Sequence, residues 1–190
     1  MNILLIKSKI NSLDKTKDVV ICNLENLVYF PIQIFKKDNG DLIPYLPKRN
    51  RTINFGINTE YIEFFDMKKR DEFLEQIKKI YKKGIDDDIT LKEIEGIDPP
   101  KIKIEFISID QNPYVIGFLN VIIEETLKIK GFKVIPTKNE IKITSPCFMK
   151  EKEKDLLNRF KITKLFETIL VDEYKRIATI WNIKVLISND

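Results

Sequence analysis

Residues 24–47, LENLVYFPIQIFKKDNGDLIPYLP, and residues 123–146, IEETLKIKGFKVIPTKNEIKITSP, read as two copies of one unit. Leu27 aligns with Leu127, Ile34 with Val134 and Asn39 with Asn139, each at an offset of 100. One gap at the turn brings Leu42 onto Ile141 and Pro47 onto Pro146. The echo returns downstream, where FLEQIKKIYKKGI from Phe73 lies over FETILVDEYKRIA from Phe166, matching Ile77 to Leu170 and Tyr81 to Tyr174. A repeat of this length exceeds a solenoid unit of ~20–50 residues. It predicts two tandem small domains acting as a built-in dimer.

Working outward, the second copy has the clearer pattern. KIKIEFISI, from Lys101, alternates and predicts a strand, and residues 115–123 form a nearly continuous apolar strand. Leu127, Ile129, Phe132 and Val134 mark a third strand, in which Gly131 breaks the alternation and predicts a bulge. Residues 141–144 return after a turn at Asn139, and a helix is expected over about 163–181 from the 3-4 spacing of Phe166, Ile169, Leu170, Tyr174 and Ile177. IKVLI would be a short final strand.

The first copy repeats the order. Strands are predicted over 3–10, 19–23, 27–35 and 42–46, with a tight turn at Asp38-Asn39-Gly40 and a helix over 67–83. Between hairpin and helix, residues 48–66 read as an insert peculiar to this lobe, with TEYIEFF as an additional strand. The fold class is therefore α+β: two lobes, each an antiparallel sheet with one packed C-terminal helix, arranged as a pseudo-dimer. The lobes are residues 1–84 and 101–190, joined by an acidic linker over 85–100 that holds one lysine and six acids.

Composition narrows the function. A hydrophobic fraction of 43% and a charged fraction of 33% belong to a folded, water-soluble chain. Histidine is absent, which removes the commonest general base, the Ser-His and Cys-His pairs and His-containing metal sites. Cys22 and Cys147 lack a CxxC spacing, which points to a reduced, cytoplasmic setting. The N-terminal apolar run is broken by Lys7 and Lys9, so neither a signal peptide nor a membrane span is expected. No catalytic residue, metal ligand or cofactor is assigned. Glu124-Glu125 falls on a turn, and Asp86-Asp87-Asp88 reads as solvated linker.

GFKVI, the Asn139 turn, the IKIT strand, Pro146 and ILVDEYKRI over residues 169–177 together resemble the SpoVG family of small bacterial regulators. The likeness covers most of residues 101–178. The first lobe shares it through the DNG turn, residues 42–48 and the helix ending in Tyr81-Lys82-Lys83. Two departures stand out: Cys147-Phe148-Met149 replaces the family's Ser-Lys after Pro146, and Glu140 stands where the family has glycine.

The resemblance implies a non-enzymatic regulator that binds DNA, RNA or both. It implies basic contacts at Lys48 and Arg49 after the hairpin and at Lys82 and Lys83 on the helix. In the second lobe the corresponding residues are Lys150, Lys175 and Arg176. Arg51 joins the first set, as does Lys78, which shares a helix face with Lys82 at i, i+4. Tyr61, Phe64 and Phe65 are candidates for base stacking, against the plainer expectation of a core strand. The fused arrangement implies a monomer with an internal pseudo-dimer, or a small homo-oligomer. The alternative function is a protein-interaction scaffold built from the duplicated domain, of phage or mobile-element type, with a protein partner.

Overall fold

The computed structural model describes residues 3–7, 17–48, 60–85, 100–112, 115–138, 140–146 and 160–180. Within them the chain is α+β, with two antiparallel sheets and two helices. In the first sheet β1 (Ile3–Lys7) pairs with β2 (Lys17–Leu24), and β2 pairs with β3 (Val28–Lys36). In the second, β6 (Ile102–Asn112) pairs with β7 (Val115–Ile123), and β7 pairs with β8 (Leu127–Pro136).

The far edge of β3 is shared by two strands. β4 (Leu42–Tyr45) covers its C-terminal part, while β10 (Lys161–Ile162) pairs with Tyr29 and Val28. The far edge of β8 is shared in the same way. β9 (Ile141–Thr144) covers one part, and β5 (Ile62–Phe64) pairs with Ile129, Lys128 and Leu127. The two sheets thus have the same strand order, and each receives one short strand from the other half of the chain. The exchange is tied at matching points: the Tyr61 N–H donates to the Pro47 carbonyl at 3.1 Å, and the Phe160 N–H to the Pro146 carbonyl at 3.3 Å. The Tyr61 and Phe160 rings meet edge-on at 5.7 Å.

Helix α1 (Met67–Lys83) starts where the Asp66 carboxylate accepts from the Lys68 N–H at 2.8 Å. It ends at Gly84, whose φ of 100° suits glycine. Phe73 and Ile77 are its buried residues, and it lies against β1 and β4. Helix α2 (Lys164–Ile180) starts at Thr163, whose hydroxyl accepts from the Phe166 N–H at 3.2 Å. It lies against β6 and β9, the strands corresponding to those under α1. Phe166, Leu170, Tyr174 and Ala178 are its buried stripe. The inner faces of both sheets and both helices close on one apolar core.

Register refines the repeat. Leu24 opposes Val28 and Ile123 opposes Leu127, so the halves correspond at an offset of 99 as they enter β3 and β8. Leu27 is therefore the last turn residue, and the counterpart of Leu127 is Val28. After the bulge the offset becomes 100. Ile34 opposes Asp18 and Pro44, as Val134 opposes Gly117 and Ile143. The bulge is at the expected glycine: the register shifts opposite Asn120, and Gly131 has φ 90°. The second hairpin loop, 137–140, is one residue shorter than the first, 37–41, which is the gap that aligns Leu42 with Ile141.

Two further expectations are corrected. Residues 48–66 are not an insert peculiar to the first lobe, because β10 follows Pro146 as β5 follows Pro47. Two residues, Lys161 and Ile162, carry no alternation by which to be read. Tyr81 and Tyr174 also differ in surroundings. The half-buried Tyr81 hydroxyl donates to the Asp18 carboxylate, whereas Tyr174 is fully buried against Phe106. The expected strand IKVLI and all of the acidic linker except Ile85 and Pro100 lie outside the described residues.

Candidate nucleic-acid interface

Among the described residues, the expected basic positions are not brought together at one place. Lys48 is exposed and its backbone forms an isolated antiparallel β-bridge with Glu60, whose carboxylate lies 3.6 Å from Arg70 near the start of α1. Lys82 and Lys83 are exposed at the other end of that helix. At 1.5 Å per residue, Arg70 and Lys82 stand roughly 18 Å apart along the axis. Lys78 pairs with Glu75 at 2.6 Å, and this holds the Glu75 carboxyl below the usual range. Arg176 is held by both oxygens of Glu173, at 2.7 and 2.6 Å, which likewise depresses the Glu173 carboxyl. Lys175 is exposed on α2. Arg49, Arg51 and Lys150 lie outside the described residues.

The aromatic candidates divide. Tyr61 and Phe64 are core residues at 5% and 8% exposure, as the plainer reading expected. Phe65 is 52% exposed, and the Lys128 ammonium sits 5.3 Å from the centre of its ring.

A basic surface that the sequence reading missed lies on the outer face of the second sheet. Residues directly opposite in an antiparallel pair share a face, and i, i+2 neighbours continue it. On the face turned away from α2, one row runs Lys103, Ile122, Lys128, Glu63 across four strands. Lys133 stands with Phe118 and Thr144, and Lys142 opposes Ile135. Lys130, at the bulge, pairs with Glu63 at 2.5 Å. Lys128 pairs with Glu105 at 2.9 Å, and the Asn120 amide donates to the same carboxylate at 3.0 Å. The Asn120 amide first and Lys128 second hold the Glu105 carboxyl below the usual range. Lys103, Lys133 and Lys142 are exposed and in no ion pair among the described residues. The signal was present in sequence as lysine at alternate positions in KIKIEF, LKIKGFKV and IKIT.

The corresponding positions of the first sheet are Leu4, Tyr29, Pro31, Gln33 and Ile43, none of them charged. Among the described residues, an ionic contact of this sheet lies on the inner face. There Lys36 meets Asp18 at 2.9 Å, and this carboxylate raises the Lys36 pKa. Burial first, and the Asp18 carboxylate second, push the Tyr81 hydroxyl up. Burial also pushes the Cys22 thiol far up, so it is a packing residue without thiolate character.

No group of three or more metal-ligating side chains occurs among the described residues, and no described helix is long and apolar enough to cross a membrane. Comparison of the chain with family models, with curated proteins and with solved structures finds no match.

Proposed function

We propose that this chain is a non-enzymatic nucleic-acid-binding regulator in which two diverged SpoVG-like units are fused as a pseudo-dimer. The observation that carries the binding reading is the outer face of the second sheet. Among the described residues it holds five lysines against Glu63 and Glu105, and the five lysine positions carry no charge in the repeated sheet, so the fold itself does not require them. Clustered exposed cations of one sign form the electrostatic footprint of a polyanion partner. The reciprocal placement of β5 and β10 supports the pseudo-dimer. A free, buried Cys22 fits a reducing, cytoplasmic setting.

The test is titration of the full chain with labelled DNA and RNA over a salt gradient. Phosphate-driven binding gives a log K that falls linearly and steeply with log salt. No binding at low salt would remove the reading. Light scattering should find a monomer, since the far edges of β3 and β8 are each completed by a strand of the same chain.

A second reading, a protein-interaction scaffold, is favoured by the first sheet's outer face. Leu4, Ile6, Val19, Phe35 and Ile43 are half-buried there, and Tyr45 is 46% exposed. An apolar interface of that kind would bind with little salt dependence.

A further inference from the structure

We propose that the outer face of the second sheet is a binding track for single-stranded nucleic acid, with Lys103, Lys133 and Lys142 neutralising phosphates and Phe65 stacking a base. This rests on the nucleic-acid reading above and adds a location, a ligand form and a role for each residue.

Charge complementarity comes first. The three lysines stand on β6, β8 and β9, so they span the sheet. At ~4.8 Å between strands, β6 and β9 are roughly 14 Å apart. Lys103 lies in the row of Ile122 and Lys128, Lys133 in that of Phe118 and Lys142 in that of Ile135, so the ammonium groups also step along the strands and follow a diagonal across the sheet. Lys128 and Lys130 play a different part. They are bound to Glu105 and Glu63, and their side chains are only 16% and 28% exposed. They hold the surface in shape and leave the net positive field to the three free lysines.

The ligand form follows from shape and from Phe65. The face is pleated sheet with α2 packed behind it, and no described element rises from it to enter a groove. Duplex recognition places a helix or ribbon in a groove. A flat basic face beside an exposed ring suits unpaired bases, whose π-faces are free to stack. Phe65 follows β5 at the edge of this face, and its N–H donates to the Thr126 carbonyl at 3.1 Å, so the ring is displayed from a fixed backbone. The ammonium of Lys128 against the ring also favours an electron-rich stacked partner in the same cluster.

The experiment uses the full chain and fluorescein-labelled oligothymidine and oligouridine of about 15 nucleotides, near the upper site size of single-strand-binding folds. The readout is anisotropy across a salt series. The triple variant Lys103→Gln, Lys133→Gln, Lys142→Gln should flatten the slope of log K against log salt by about 2, at ~0.7 per single-strand contact. Phe65→Ala should weaken binding roughly tenfold and leave the slope unchanged. A matched variant, Lys37→Gln, Lys161→Gln, Lys164→Gln, removes three exposed lysines elsewhere and should keep the slope. Circular dichroism checks the fold of each.

If the wild type binds and the face variant matches it, the track is not on this face. Equal loss in the matched variant would mean that total charge alone acts. Tighter binding to duplex than to either single strand would overturn the single-stranded form. If the wild type binds no nucleic acid at low salt, the nucleic-acid reading itself falls, and the face is left to a polyanionic protein partner.

Discussion

The two sheets are alike inside and unlike outside. Facing the core, Leu5 matches Ile104, Cys22 matches Val121, Phe30 matches Ile129 and Ile32 matches Phe132, all at 5% exposure or less. On the outer faces, Leu4 matches Lys103, Ile6 matches Glu105, Ile21 matches Asn120 and Ile43 matches Lys142. One chain therefore performs the same folding experiment twice. What both sheets retain is what register and burial demand. What differs is free of that demand, and the surface chemistry of the protein is there.

The largest effects should come from the shared face. Phe132→Ala should cost about 3–5 kcal/mol and Ile32→Ala about 2–5 kcal/mol, because both are fully buried and leave cavities. Urea unfolding checks this. A cost under about 1 kcal/mol at either position would break the equivalence of the inner faces. Exchanging the outer faces should matter less. Leu4→Lys should destabilise by about 1 kcal/mol, since Leu4 is half-buried, while Lys103→Leu should stay within about 0.5 kcal/mol.

The turns offer a finer contrast. Residues 25–26 and 124–125 all have positive φ, the signature of a type I′ turn, and the second central residue is Asn26 in one copy and Glu125 in the other. Asparagine tolerates this region better than glutamate. Glu125→Asn should therefore raise the urea midpoint, by an amount worth up to about 1 kcal/mol. An unchanged midpoint would mean that the exposed contact of Glu125 with Lys101, 2.9 Å long, offsets the gain.

The smallest effect is acid dependence. The depressed Glu105 carboxyl stabilises the fold above the unfolded carboxyl pKa, and that contribution is lost as pH falls through the lower folded value. Because the side chain is 44% exposed, the amount should be below about 1 kcal/mol. Between about pH 5 and about pH 3, the wild type should lose slightly more stability than Glu105→Gln. Equal losses would show that the Asn120 and Lys128 contacts carry no net stability.

Local signals were legible and non-local ones were not. Helix α1 could be read because Phe73, Leu74, Ile77, Ile80 and Tyr81 repeat at helical spacing, and the bulge could be read because Gly131 interrupts an alternation. The partners of β5 and β10 could not, since pairing across the chain leaves no mark in two or three residues. A single offset of 100 misplaced Leu27 because the extra residue at the bulge shifts the register only beyond it. The basic face was missed for a related reason. Charge density along one helix is visible in sequence, but lysines on three strands become neighbours only once the strands are paired.

The placement of β10 also has a consequence in time. Val28 and Tyr29 are made more than a hundred residues before the strand that covers their edge, at 161–162. At ~5–20 residues per second, that edge waits on the order of ten seconds during synthesis. An unpaired strand edge is a template for pairing with another chain. On crowded ribosomes, the growing first half would meet its neighbours before it meets its own second half.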